Sequence, residues 1–337
     1  MKKIKLAIVG ATGVVGRTAL KILEERKLPI SEYAFFSSYR SAGKKIKFLN
    51  KEYIIKELTE KAFDDNFNYA IFSAGSETSK KYAKIAVSKG CTVIDNSSAF
   101  RMNNDVPLVV PEVNNEEILK NHGIIANPNC STIQAVVALK PLDDKYKIKR
   151  IVYSTYQAVS GAGKKGIDDL ENGINAYYEK RENYSLEKFP YQIFNNCIPH
   201  IDEFLDNGYT KEEEKMINET RKILKNPNLN ITATTVRVPV FNCHSESINI
   251  EFEKSFELND VINSLSKAPG IILENNYIEN KYPLATLANN KDSIFVGRIR
   301  RDYSIKNGIN LWVVADNIRK GAASNAIQIL EKLIEKT

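Results

Sequence analysis

Through the first 130 residues, short apolar runs alternate with stretches of helical periodicity, each pair separated by glycine or polar turns. Residues 4–9, 33–36, 67–72, 92–95 and 124–126 read as buried strands. Helices are predicted through Leu20, Ile22 and Leu23, and from a cap at Ser76 or Thr78 to Lys89. A third is predicted over 133–139, with Ile133, Val136 and Val137 on its core face. Strand and helix in regular alternation mark a doubly wound parallel sheet.

From about Lys149 the texture changes. Longer strands are predicted at 150–156, 231–240, 247–252, 293–300 and 309–314, with helices at 166–181, 212–224 and 258–267. This is the pattern of an α+β domain: one large mixed sheet, helices on one face, and the other face available to a second subunit. A last helix over 317–335 puts Ile327, Leu330 and Ile334 on one stripe. The expected organisation is α/β. Residues 1–128 and 317–337 form a Rossmann-like domain, and residues 129–316 form a catalytic and dimerisation domain.

Composition narrows the function classes. The +7 formal charge comes from lysines interleaved with glutamates, with no basic block carrying aromatics, so nucleic acid is not expected as a partner. No apolar run reaches the roughly twenty residues of a membrane span. The N-terminal run breaks at Gly10 with no cleavage site, and reads as a strand. Cys91, Cys130, Cys197 and Cys243 have neither metal-ligand nor disulfide-framework spacing, so a reducing, cytoplasmic setting and no metal are expected.

Candidate chemistry follows the strand ends. After the first strand comes Gly10-Ala11-Thr12-Gly13-Val14-Val15-Gly16, in the strand, turn, helix order of a dinucleotide site. Thr12, Val14 and Val15 belong to that turn, and Ser73-Ala74-Gly75 ends another strand with residues small enough for a cofactor to lie close. Where an NAD site places an acid, this chain has Ser37, Ser38 and Arg40. Hydroxyls and a guanidinium suit a 2′-phosphate, so NADP is predicted over NAD. Arg101, in a loop after residues 92–95, is placed to bind an anion. In Asn127-Pro128-Asn129-Cys130-Ser131-Thr132, Cys130 falls in the first turn of a helix. Free N–H groups and the macrodipole there favour a thiolate and could hold an oxyanion.

Of the three histidines, His122 and His200 fall in loops. His244 lies seven residues after Arg237, near the other end of what reads as one extended segment folding back over a pocket. A Cys–His pair is the usual arrangement for thiolate catalysis. On these residues alone, Cys130 is equally a free cysteine at a helix cap, Arg101 a surface arginine and His244 a hydrogen-bonded structural histidine.

Six motifs taken together resolve this. They are the glycine turn, Asp95-Asn96-Ser97-Ser98-Ala99-Phe100-Arg101, Val109-Val110-Pro111-Glu112-Val113-Asn114, the Cys130 stretch, Tyr156-Gln157-Ala158-Val159-Ser160-Gly161-Ala162-Gly163, and Ala315-Asp316-Asn317-Ile318-Arg319-Lys320-Gly321. In this order, and over nearly the whole chain, they resemble the bacterial aspartate-β-semialdehyde dehydrogenases.

The resemblance implies Cys130 as nucleophile, His244 as acid/base, Gln157 positioning the acyl-enzyme and Asn129 beside the thiolate. It implies Arg101 and Lys215 for phosphate, Arg237 for the substrate carboxylate and Glu212 for its amine. Ser160, Gly161 and Asn317 would join the NADP contacts. The implied reaction is NADPH-dependent reductive dephosphorylation of L-aspartyl 4-phosphate, on the branch toward lysine, diaminopimelate, threonine, methionine and isoleucine. The implied assembly is a homodimer, or a dimer of dimers. One departure stands out: Glu214 precedes Lys215 where relatives carry an apolar or aromatic residue, so Glu212-Glu213-Glu214 leaves the amine partner open. Two other readings are an N-acetyl-γ-glutamyl-phosphate reductase and a non-catalytic NADP-binding regulatory protein.

Overall fold

The computed structural model describes residues 3–336 apart from Glu182. It divides into two compact units, Met1–Asn129 with Ala322–Thr337, and Cys130–Gly321.

The first unit is built on β1 (Lys5–Val9), β2 (Glu32–Ser37), a hairpin β3 (Lys45–Phe48) and β4 (Lys51–Ile54), β5 (Lys56–Glu57), β6 (Tyr69–Phe72), β7 (Thr92–Asp95) and β8 (Ile124–Ala126). Six of these form one sheet in the order β5-β2-β1-β6-β7-β8, parallel throughout. Leu6, Ala7, Ile8 and Val9 are all fully buried, as a parallel strand covered on both faces requires. The hairpin closes over Phe35, whose ring meets Phe48 at 5.4 Å and Tyr53 at 5.0 Å.

Helix α1 (Val14–Arg26) packs tightly because a Cβ at Gly16 would lie 2.2 Å from the Gly10 carbonyl oxygen. Helix α2 (Ser76–Ser88) differs from expectation at its start. Its cap is Gly75, at φ 86 and ψ 163, and neither Ser76 nor Thr78 caps it. That backbone region is open essentially to glycine alone, so Gly75 sets the turn. A short α3 (Pro111–Asn114) follows.

The second unit carries β9 (Ile148–Gln157), β10 (Asn230–Arg237), β11 (His244–Phe252), β12 (Ile271–Leu273), β13 (Ile294–Asp302) and β14 (Gly308–Ala315). They form one mixed sheet in the order β10-β9-β11-β14-β13-β12. Strand β11 alternates buried and half-exposed residues along its whole length, so one face is covered and the other open. Helices α4 (Cys130–Tyr146), α5 (Lys164–Tyr178), α6 (Lys211–Ile223), α7 (Leu258–Ser266) and α8 (Ala285–Ala288) complete the unit, and α4 packs on β9, β11, β13 and β14. Its residues from Ser131 to Leu139 are buried on every side, not on the single face anticipated.

The final helix is likewise not continuous. Asp316 accepts from the N–H groups of Ile318 and Arg319, its carbonyl accepts from Gly321, and Arg319–Ser324 winds as a π-helix. The α-helical part, α9 (Asn325–Ile334), returns to the first unit's core beside Leu23 and Ile118.

Candidate active site

Cys130 is the first residue of α4 and is partly exposed, where the other residues of that turn are buried. A Cβ at Gly321 would lie 2.9 Å from the Cys130 Cβ, so the absence of a side chain there makes room for the thiol. The 17-residue helix directs its positive end at the sulfur.

Strand register assembles the partners. Arg237 pairs with Gln157 across β10 and β9, and Ser245 pairs with Tyr156 across β11 and β9, which puts His244 beside Gln157 one step further. The row Arg237, Gln157, His244 therefore spans three adjacent strands. The expectation of one extended segment folding back is corrected here. Residues 238–243 cross the end of β9, and Val159 and Ser160 donate to the Val240 and Phe241 carbonyls on the way. Arg237 and His244 thus stand on opposite sides of Gln157.

Each side chain is held. Arg237 donates from Nη1 to the Ala158 carbonyl at 2.6 Å and stacks over the Phe189 ring at 5.8 Å. Gln157 accepts from Thr155 at 3.0 Å and donates to Glu212 at 3.2 Å. Glu212 also takes a hydrogen bond from Lys215 at 3.3 Å, and Lys215 binds Asp202 at 2.5 Å. The three glutamates separate cleanly. Glu213 closes a capping box with Thr210 and accepts from Thr235, and Glu214 accepts from Asn207 and Asn218. Only Glu212 among them meets Gln157.

His244 is fully buried, and its Nδ1 accepts the Ala158 N–H at 3.0 Å. The proton of the neutral ring therefore sits on Nε2. Burial first, and the Arg237 guanidinium second, push its pKa well below the usual histidine range. Burial also lowers the Arg237 pKa, while the charges of Glu212 and Cys130 raise it, so Arg237 and the thiol feel one another. Gly161 lies against this pair: a Cβ there would come within 3.0 Å of Arg237 Nη1 and 3.2 Å of His244 Nε2. The segment before His244 is strained, with buried Cys243 at φ 74 and its N–H bound to Asn317 Oδ1 at 2.9 Å. Asn317 also hydrogen-bonds Ser160.

In the first unit, a cavity of about 460 Å³ is lined by Gly10, Thr12, Gly13, Ser37, Ser38, Ser73 and Ala74, together with Tyr39, Glu57 and Tyr82. The Thr12 and Ser37 hydroxyls meet at 2.9 Å. Arg40 is not in that lining; its Nε donates to the Tyr39 hydroxyl at 3.2 Å. Val14 and Val15 open α1. Arg101 is buried and donates to the Asn96 carbonyl at 3.0 Å, and Asn129 is buried ahead of Cys130. A buried amide network ties this region together: Asn325 donates to Asn127, and Asn127 to Asn96, each at 2.7 Å.

Sequence reasoning missed Asp169, Asp202, Glu57 and the Asn127–Asn325 pair. Their contacts join segments apart in sequence, and apart from Asn127, which opens the Cys130 stretch, none lies in a recognisable motif. Of the other histidines, His200 stacks on Phe204 at 4.2 Å, and His122 lies in the first unit. Among the described residues no group of acids, histidines and cysteines is arranged to hold a metal, and no helix is long and apolar enough to cross a membrane.

The family model "Semialdehyde dehydrogenase, NAD binding domain" matches residues 5–121, and "Semialdehyde dehydrogenase, dimerisation domain" matches residues 139–320. The aspartate-semialdehyde dehydrogenase of Aquifex aeolicus is 54% identical over 334 residues, 98% of each chain. That of Bacillus subtilis is 47% identical over 97% of this chain and 96% of its own. The crystal structure of aspartate semialdehyde dehydrogenase II from Vibrio cholerae superposes with a TM-score of 0.95 at 47% identity, over 99% of each chain. A second structure of that enzyme is complexed with ASA, with the same TM-score, identity and coverage. A Candida albicans enzyme with NADP is similar at a TM-score of 0.77 and 26% identity, over 98% of each chain. The chain therefore carries a nicotinamide-nucleotide binding domain and a dimerisation domain. By sequence along nearly its whole length and by fold, it belongs to the aspartate-semialdehyde dehydrogenase family.

Proposed function

We propose that this chain reduces L-aspartyl 4-phosphate to L-aspartate 4-semialdehyde with NADPH, releasing inorganic phosphate, reversibly and through a thioester on Cys130. The observation that carries this reading is the cluster of Cys130, Gln157, Arg237, His244 and Glu212, built within one unit from the starts of α4 and α6 and three neighbouring strands.

The Cys130 thiolate attacks the acyl carbon, a C–S bond forms, and phosphate leaves with its electron pair. Arg101 and Lys215 are the cations assigned to that phosphate. Arg237 takes the substrate carboxylate and Glu212 the amine, with Gln157 and Asn129 orienting the acyl group. Nicotinamide, when bound, supplies the hydride that reduces the thioester. The resulting tetrahedral oxyanion faces the Nε2–H of His244, whose Nδ1 is already occupied by the Ala158 N–H. The ring thus stabilises the oxyanion by donation and then the departing sulfur as the aldehyde forms.

The glycine turn fits a dinucleotide. A Cβ at Gly10 would lie 2.3 Å from the Ser73 carbonyl oxygen, and α1 starts with no side-chain cap, leaving N–H groups for a pyrophosphate. Thr12, Gly13, Val14, Val15, Ser73, Ala74 and Gly75 would hold it, with Ser160, Gly161 and Asn317 assigned to the same cofactor. Ser37, Ser38 and Arg40 favour a 2′-phosphate, so NADP is the proposed cofactor. The open face of the mixed sheet exposes Tyr156 and Leu284 around a cavity of about 590 Å³ that Trp312 also lines, and a second copy of the chain is the proposed occupant.

A steady-state assay tests the reading. Phosphate-dependent reduction of NADP by aspartate semialdehyde is expected, exceeding that with NAD. Turnover of N-acetylglutamate semialdehyde instead would overturn the substrate assignment, because that substrate has no free amine for Glu212. Cys130→Ala is expected to abolish turnover while NADP binding persists, and unaltered turnover would remove Cys130 from the mechanism.

A further inference from the structure

Beneath the row of Arg237, Gln157 and His244 lies a second row of polar side chains that the proposed reaction does not use. Thr235 pairs with Thr155, and Thr155 with Glu246, across β10, β9 and β11, and all three are fully buried. Glu246 stands two residues from His244 on the same face of β11. Its partner on β14 is Val313, which offers no donor from its side chain.

Among the described residues, neither Glu246 carboxyl oxygen has a hydrogen-bond partner within normal geometry, and nor does the side-chain oxygen of Gln134. The polar side chain that Glu246 meets is that of Gln134 on α4, whose Nε2–H donates to the main-chain carbonyl of His244 at 3.3 Å. Among the described residues, the titratable groups beside Glu246 are Tyr153 on β9, hydrogen-bonded to Thr220 of α6, and His244, two residues away on the same face of its own strand. Neither supplies a positive charge: burial raises the tyrosine pKa and lowers that of the histidine.

An ionised carboxylate here would be a buried charge with no counterion, facing an amide whose oxygen also needs a donor. One proton removes the conflict by turning one of these acceptors into an O–H donor. We propose that Glu246 is a positioning residue held as a neutral carboxylic acid, hydrogen-bonded to the Gln134 amide and, through it, fixing the carbonyl and ring of His244. Burial pushes its pKa well above the ordinary carboxylate range and outweighs the lowering by the Gln134 amide, in agreement.

The inference rests on His244 as the site's hydrogen donor, but its first test does not depend on turnover. In difference infrared spectra of the full chain at pH 7, wild type minus Glu246→Gln, the carbonyl stretch of a protonated carboxyl is expected. A carboxylate band alone overturns the proposal. Denaturation between pH 7.5 and 8.5 gives a second readout, in a range where His244 is essentially neutral both folded and unfolded. There the folded chain retains a proton that the unfolded chain releases. The wild-type folding constant therefore falls by up to about tenfold per pH unit relative to Glu246→Gln. Parallel curves overturn the proposal.

Positioning is tested by kinetics. Glu246→Gln, which keeps a donor, should hold kcat within about threefold, while Glu246→Ala should lower it more than about tenfold with KM for NADP unchanged. If Glu246→Ala does not fold, Gln134→Leu serves the same purpose. Wild-type kcat in whichever of these variants folds overturns the positioning role. A wild-type chain with no turnover on aspartate semialdehyde would remove the proposed function and leave the infrared result standing.

Discussion

Asp169 on α5 offers the sharpest test of how a distant segment shapes the substrate pocket. Its side chain is fully buried, and it accepts the main-chain N–H groups of Glu187, Lys188 and Phe189 at 2.8, 2.9 and 2.9 Å. Phe189 then lies under the Arg237 guanidinium. In Asp169→Asn the amide oxygen can keep the two bonds made by Oδ2, but the NH2 group must face the Glu187 N–H. One charge-assisted bond is lost, and the donors are left opposed. A hydrogen bond to a charged group contributes about 1.5–3 kcal/mol, so the 187–189 segment should lose about 2–4 kcal/mol of local stability. Losing the ring beneath Arg237 removes about 1 kcal/mol of cation–π attraction, equivalent to roughly fivefold in affinity for the carboxylate it clamps. Hydrogen exchange should quicken at residues 187–189 while β9 and β11 stay protected, and KM for aspartate semialdehyde should rise about fivefold. The change in kcat should be smaller, because Arg237 keeps its bond to the Ala158 carbonyl. Unchanged exchange at 187–189 together with unchanged KM would refute the chain of support from Asp169 through Phe189 to Arg237.

Three further outcomes are expected. His244→Asn should remove a pH dependence of stability: below pH 6.5 the unfolded chain gains a proton that buried His244 does not take up. Wild type therefore loses about 1.4 kcal/mol per pH unit relative to the variant between pH 6 and 5, read by denaturation at each pH. Gly161→Ala pushes a Cβ to 3.0 Å from Arg237 Nη1, and a displacement of a few tenths of an ångström should lower kcat/KM about three- to fivefold with an unchanged melting temperature. Glu57 is paired beside Ser37 and lines the same cavity, so Glu57→Gln should lower KM for NADP about two- to fivefold and alter KM for NAD less, measured with each cofactor in turn.

Local chemistry made the first sheet readable. Its parallel strands are covered on both faces, so residues 6–9 and 69–72 are continuous apolar runs that announce themselves. The hairpin of β3 and β4 escaped because five of its eight residues face water: Lys45, Lys47, Lys51, Glu52 and Ile54 are exposed, and Phe48 is its one fully buried side chain. The caps failed for a related reason. A serine or threonine near a helix start is a signal only when its oxygen accepts an N–H of the first turn, and at α2 the Gly75 conformation makes the turn without it. Cys130 at the head of α4 was legible because proline, asparagine and a following apolar run are all local cues.

The partners of Cys130 obey a different rule. Arg237, Gln157 and His244 meet because β10 runs parallel to β9 while β11 runs antiparallel to it. A sequence reports that a strand exists from its alternation, but a shift of one residue in either pairing would turn one of these side chains to the opposite face of the sheet. What holds the register is the apolar set on the covered face, Tyr153, Ala233, Ile248 and Ile250, all buried. The crossing at residues 238–243 adds to it, since its carbonyls accept from Val159 and Ser160. The strain at Cys243 belongs to the same geometry. A non-glycine residue in the left-handed region one position before His244 marks the place where the chain turns sharply from the crossing into β11, so that the imidazole arrives beside Gln157 with its Nδ1 against the Ala158 N–H. The core packing that fixes the sheet thus also fixes which nitrogen of His244 is left to act.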